Sequence, residues 1–178
     1  YPTHPPPEGW KDTDLDLYSA TRLFCDAAKK TDSKFKLSDI DDIVGICQLC
    51  EGMPLAILLA ASNVGLLSPN EIATRIRDAL HVLKNKYGDL PERQRSIRAV
   101  FESSWQLLTD EERRVLAILS AFHDGFAIAA AEQVADTDVP LLQALTRKSL
   151  IQRQHISLSF LYAPDGETET VLRFYMHA

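Results

Sequence analysis

Asp138-Val139-Pro140-Leu141-Leu142-Gln143-Ala144-Leu145-Thr146-Arg147-Lys148-Ser149-Leu150-Ile151 changes character within one short run. Its first part reads as a helix. Asp138 can accept the unpaired N–H groups of a first turn, Pro140 fits where no backbone donor is needed, and Leu141, Leu142 and Leu145 recur at helical spacing. After Lys148 the pattern switches to β-branched and aromatic residues: Leu150-Ile151, Ile156 to Leu161 and Thr170 to Tyr175. These segments flank the turn signal Pro164-Asp165-Gly166. Upstream, Ile97, Val100, Phe101, Trp105 and Leu108 mark one helix. Thr109-Asp110-Glu111-Glu112 is a capping box that opens another through Val115, Leu116 and Leu119, and Ala129 to Val134 is a short Ala-rich helix after a turn around Gly125. Helices followed by a hairpin are in the order of a winged helix, so residues 89–178 are expected to form one.

The preceding 88 residues read as a small helical bundle. A Pro-rich start, Tyr1 to Trp10, is extended in character. Leu17, Ala20, Leu23, Phe24 and Ala27 are helical in spacing, and Asp26 to Lys36 is polar and turn-like. Ser38 reads as an N-cap, with Asp39, Asp41 and Asp42 in the first turn, where the helix dipole favours acids. Ile40, Ile43, Val44, Cys47 and either Leu49 or Cys50 form that helix's inner stripe. Gly52 stops it and Pro54 starts the next, which is apolar almost all round to Val64 and is therefore expected at the centre. Gly65 closes that helix. Ser68-Pro69-Asn70-Glu71 is a second capping box, and Ile72, Ile76, Leu80 and Leu83 carry the following inner face. The expected fold class is mainly α: a helical bundle over 1–88, a joint near Tyr87 to Arg93, and a winged helix over 89–178 with a C-terminal β-hairpin.

The 178 residues are 46% hydrophobic, which suits folded domains rather than a disordered chain. Net charge is −6 and evenly spread: residues 1–90 carry 10 basic and 13 acidic side chains, residues 91–178 carry 9 and 12. That balance argues against nucleic acid or an anionic membrane as the main partner. The longest apolar stretch, Pro54 to Leu67, is too short to span a bilayer and contains Ser62 and Asn63. With no signal-peptide pattern and an odd number of cysteines, the expected location is the cytoplasm. The missing initial Met and the abrupt end at Met176-His177-Ala178 read as a piece of a longer protein.

The sequence carries no catalytic constellation. None of the seven glycines is followed by Lys, so no phosphate-cradling P-loop is present, and no dinucleotide fingerprint or nucleophile elbow exists. The five histidines do not cluster. Cys47 and Cys50 have C-x-x-C spacing, but a zinc site needs a second pair and a redox pair sits at a helix start, so core packing is the better reading and no metal is expected. Arg93, Arg95, Arg98, Arg113 and Arg114 read as a solvated face pairing with Glu92, Glu102, Glu111 and Glu112, or else as a docking surface for an acidic domain. The helix from about Val139 to Ser149 offers Arg147 and Lys148 to DNA and little else.

Gly52-Met53-Pro54-Leu55-Ala56 strongly resembles the G-x-P-L-A motif of STAND-class (NB-ARC-like) ATPases. Leu90 to Phe101, Ser104-Trp105 and Leu108 to Arg113 look like the start of the winged helix in bacterial members, Leu145 to Leu150 resembles their "L-v-d-K-S-L", and Phe174-Tyr175-Met176-His177 resembles M-H-D, with Ala178 where an acid is common. The resemblance implies a regulatory switch fragment without catalytic residues. It would help to hold ADP through Gly52, Pro54 and His177, but only within a full-length ATPase that supplies the P-loop. Its partners would be that P-loop domain, a downstream sensor or repeat domain, and further copies on activation. The other expectation is a winged-helix adaptor that binds DNA or protein.

Overall fold

The computed structural model describes residues 19–35, 40–86, 89–123, 125–159 and 168–176. The protein is mainly helical with a two-stranded antiparallel hairpin, as its sequence predicts. The chain divides into two compact units, Tyr1–Leu107 and Leu108–Ala178.

In the first unit, α1 (Ser19–Thr31) buries Ala20, Thr21, Phe24, Cys25 and Ala28. It runs through the stretch after Asp26 that reads as turn-like, because Ala28 keeps the apolar spacing and Thr31 Oγ1 bonds back to Ala27 O at 3.1 Å. α2 (Ile40–Leu49) buries Ile43, Val44, Ile46 and Cys47. Its end is a tight reversal. Glu51 and Gly52 both take left-handed φ, 47° and 57°, and Gly52 N–H bonds to Cys47 O at 3.0 Å. α3 (Pro54–Ala61) then starts at once with Pro54 in its first turn. Ala56, Ile57, Leu59, Ala60 and Ala61 are all buried, so this helix is the core of the bundle, packed against α1 and α5. It stops at Ala61, short of Val64, since Ser62 and Asn63 turn back to hydrogen-bond Leu59 O at 2.8 and 3.1 Å.

α4 (Pro69–Lys86) opens on the expected capping box: Ser68 N–H donates to Glu71 Oε2 at 2.8 Å, and Glu71 N–H to Ser68 Oγ at 3.3 Å. α5 (Glu92–Gln106) packs on α3 and α4 within this unit. Its buried face is made mostly of small residues. Ser96, Ala99, Val100, Ser103 and Ser104 are buried, whereas Phe101 is 41% exposed and stacks on Trp105 with centroids 5.9 Å apart. Small residues let α5 approach α3 closely enough for Asn63 Nδ2 to donate to Ser104 Oγ at 3.2 Å. Ser96 Oγ likewise donates to Glu51 Oε1 at 2.8 Å, tying α5 to the α2–α3 reversal.

The second unit contains α6 (Asp110–Leu119), α7 (Ile128–Ala135), α8 (Val139–Arg147), β1 (Ile151–Ser159) and β2 (Thr168–Met176). Val115, Leu116, Leu119, Phe126, Ala131, Ala135, Leu142, Leu145, Leu150, Ile151 and Phe174 form its core. The strands pair from Ile151 opposite Met176 to Ser159 opposite Thr168. Phe126 adds a bridge on the other edge of β2, exchanging two 2.8 Å bonds with Phe174. Gly125 makes that approach possible. Its φ is 76°, and a Cβ there would lie 2.5 Å from Phe174 O. Three helices and this hairpin make a winged helix. The Pro-rich start, Ser38, Tyr87 and Gly88 of the expected Tyr87 to Arg93 joint, the Pro164-Asp165-Gly166 turn, His177 and Ala178 lie outside the described residues.

Candidate nucleic-acid interface

α8 is presented by its two ends. At the start, the Asp138 carboxylate accepts Leu141 N–H at 2.9 Å. At the end, Ser149 takes a left-handed φ of 55°, and Leu150 N–H reaches back to Leu145 O at 3.1 Å, turning the chain directly into β1. Leu142 and Leu145 are buried and pin one side of the helix to the core. The opposite side leaves Gln143 and Arg147 exposed, one turn apart, and β1 then exposes Gln152, Arg153, Gln154 and His155. Thr146 is half-buried and its hydroxyl is committed to Leu142 O at 2.7 Å.

Lys148, which the sequence offers beside Arg147 as a second cation, is turned inward. Its Nζ lies 2.7 Å from both Oε1 and Oε2 of Glu112. Burial pushes the Glu112 carboxyl up, but the hydrogen bonds from Lys148 and from Thr109 N–H outweigh it and hold the group below the ordinary carboxylate range. The cationic part of this face is therefore Arg147 with Arg153. Its acidic part, exposed Glu132, Asp136 and Asp138, lies at the α7–α8 corner, at the other end of α8.

Other arginines are engaged within their own units. Arg113 pairs with Asp110 at 3.1 Å. Arg114 donates to Ala135 O and Asp136 O at 2.9 and 3.1 Å, satisfying carbonyls at the end of α7. Arg95 donates to Leu90 O at 2.9 Å in the first unit.

Gly52 and Pro54 sit in the α2–α3 reversal, where each has a backbone reason to be present. A nucleotide contact at Gly52, Pro54 or His177 rests on the family resemblance alone. The three thiols, Cys25, Cys47 and Cys50, are free and buried. Burial raises Cys47 and Cys50, the latter to about 12, so both are protonated core groups. Among the described residues no helix is long and apolar enough to cross a membrane, and no group of three or more His, Cys, Asp or Glu residues is placed to hold a metal.

Comparison with known proteins finds relatives in mycobacteria. A Mycobacterium tuberculosis protein provisionally named an HTH-type transcriptional regulator is 32% identical over 157 residues, 86% of this chain and 17% of the relative. Its counterpart in Mycobacterium bovis, under the same provisional name, matches to the same extent. An uncharacterized protein of Mycobacterium tuberculosis is 33% identical over 132 residues, 72% of this chain and 34% of its own length. The chain thus spans about a sixth of the regulators and a third of the other relative. No family model and no solved structure matches it.

These relatives correct the family reading. They point to a helix-turn-helix regulator and not to a STAND-class ATPase, and the ADP-holding switch inferred from that resemblance is withdrawn with it. The physical reason the motif misleads is visible in the fold. A left-handed glycine followed by a proline in the first helical turn is what a close helix–helix joint needs with or without a ligand.

Proposed function

We propose that this chain is a helical-bundle and winged-helix segment of an HTH-type transcriptional regulator, and that the second unit contacts DNA through α8 and β1. One observation carries the reading: α8 sinks Leu142 and Leu145 into the core and exposes Gln143 and Arg147 one turn apart, directly ahead of a strand that exposes Arg153. A planar guanidinium can hold a phosphate or a guanine edge with paired N–H donors, and a glutamine amide can match an adenine edge. The names of the regulator relatives support the same reading. They also shift the weight given to charge: a net charge of −6 weakens long-range attraction to DNA but leaves Arg147 and Arg153 exposed beyond the acidic α7–α8 corner.

The interaction is modest by construction. Two arginines on phosphates correspond to a salt slope of about −1.8, or roughly a twelvefold loss of affinity between about 50 and 200 mM salt. Fluorescence anisotropy with a mixed-sequence DNA duplex tests this. Arg147→Ala and Arg153→Ala should each weaken binding and flatten the slope by about 0.9. Absence of binding at low salt, or binding that neither substitution changes, would overturn the proposal. A protein partner is the second reading, favoured by Val134 and Val139, which are 56% and 37% exposed at the α7–α8 corner.

A further inference from the structure

Lys148 follows Arg147 on the helix proposed to face DNA, yet it is only 21% exposed and its ammonium bridges both oxygens of Glu112 at 2.7 Å. Glu112 is 7% exposed and is itself held in place. Its Oε2 accepts Thr109 N–H at 2.8 Å, and its own N–H donates to Thr109 Oγ1 at 3.1 Å, closing the capping box of α6. The anchor is thus built into the first turn of α6 and reaches the residue that caps the end of α8. A lysine at the end of a DNA-facing helix is a mobile point charge well suited to a phosphate. Here that charge is neutralised inside the protein.

We infer that Glu112 withholds Lys148 from DNA, so that the interface carries one cation fewer than its sequence offers, and that removing the Glu112 charge turns Lys148 into an added phosphate contact. The inference rests on the DNA reading of α8. The release follows from solvation: opposite a neutral amide the ammonium loses the attraction of the Glu112 carboxylate, and its flexible four-carbon stem lets it move out to water or phosphate. Exposed as it already is by a fifth, the side chain has a short path to solvent.

The test uses the full chain in anisotropy titrations against a mixed-sequence DNA duplex over about 50–200 mM salt. Glu112→Gln keeps the size of the side chain and an oxygen for Thr109 N–H. It should steepen the slope by about 0.9 and tighten binding several-fold at low salt, and adding Lys148→Met should return the slope to the wild-type value. An unchanged or flatter slope in folded Glu112→Gln overturns the inference, as does a steep slope that survives Lys148→Met. Lys148→Gln alone, which can still donate to Glu112, provides a second check that does not depend on Glu112→Gln folding. It should leave the wild-type slope as it is; a slope flatter by about 0.9 would place Lys148 on phosphate already and overturn the inference. Failure of the wild-type chain to bind the duplex removes the DNA reading itself, whereas wild-type binding that Glu112→Gln leaves unaltered removes only the withholding of Lys148.

Discussion

Lys148→Met cuts the buried ion pair from its exposed side and leaves the Glu112 carboxylate, 7% exposed, without its counter-charge. Removing one partner of a buried pair costs about 3–5 kcal/mol. Lys148 is 21% exposed, and water can follow the shortened side chain in, so about 2–4 kcal/mol is the better expectation. A unit the size of Leu108–Ala178 has roughly 4–10 kcal/mol of stability in all. The substitution should therefore remove a large share of it and lower the midpoint of that unit's unfolding by at least about 10 °C. Glu112→Gln should cost less, about 1 kcal/mol, because a neutral amide needs no counter-charge. The pH dependence gives an independent sign. The Glu112 carboxyl is held below its ordinary value of 4.5 in the folded chain, so the stability it lends is fully present above that value and is lost as pH falls through the folded one. The difference between wild type and Lys148→Met should shrink on acidification for the same reason. Urea unfolding at pH 7 and at pH 4, combined with hydrogen exchange of the α6 and α8 amides, measures both effects. A Lys148→Met protein within about 0.5 kcal/mol of wild type at pH 7, or a deficit that acid does not reduce, would refute the account.

Two further outcomes are expected. Gly125→Ala places a Cβ 2.5 Å from Phe174 O and 2.7 Å from the Tyr175 ring at a φ of 76°. It should therefore destabilise the Phe126–β2 bridge by about 2–4 kcal/mol, and a thermal midpoint equal to wild type would show that the bridge is not fixed this way. Cys25, Cys47 and Cys50 are buried, so native protein at pH 8 should resist iodoacetamide and be alkylated at all three only in denaturant; rapid native labelling of Cys47 or Cys50 would contradict their burial.

Much of the fold is legible locally. The capping boxes at Ser68 and Thr109, the glycine stop and proline start around Gly52 and Pro54, the all-round apolar α3 and the switch to β-branched residues after Ser149 each depend on neighbours within about one helical turn. Those neighbours are written next to one another in the chain. The Gly52–Pro54 signal shows the cost of reading further: the joint is real, but its chemistry serves the backbone, and the same short pattern fits a family to which the relatives do not lead.

What each side chain does was settled across distance in sequence. Phe101 helps to mark the helix in the sequence but is exposed in the fold, because the small residues Ser96, Ala99, Ser103 and Ser104 are what fit between α5 and its neighbours. Glu51 meets Ser96 and Asn63 meets Ser104 across separations of 45 and 41 residues. Lys148 reads as a DNA-facing cation beside Arg147, but Glu112, 36 residues earlier, takes its charge. The sequence by itself determined where most helices start and that a hairpin follows them, since capping and apolar spacing are local demands, but not where α1 and α3 end. Only the tertiary structure decided which charges remain on the surface, because a charge is neutralised by whichever group the fold brings within about 3 Å of it, and spacing along the chain carries no record of that.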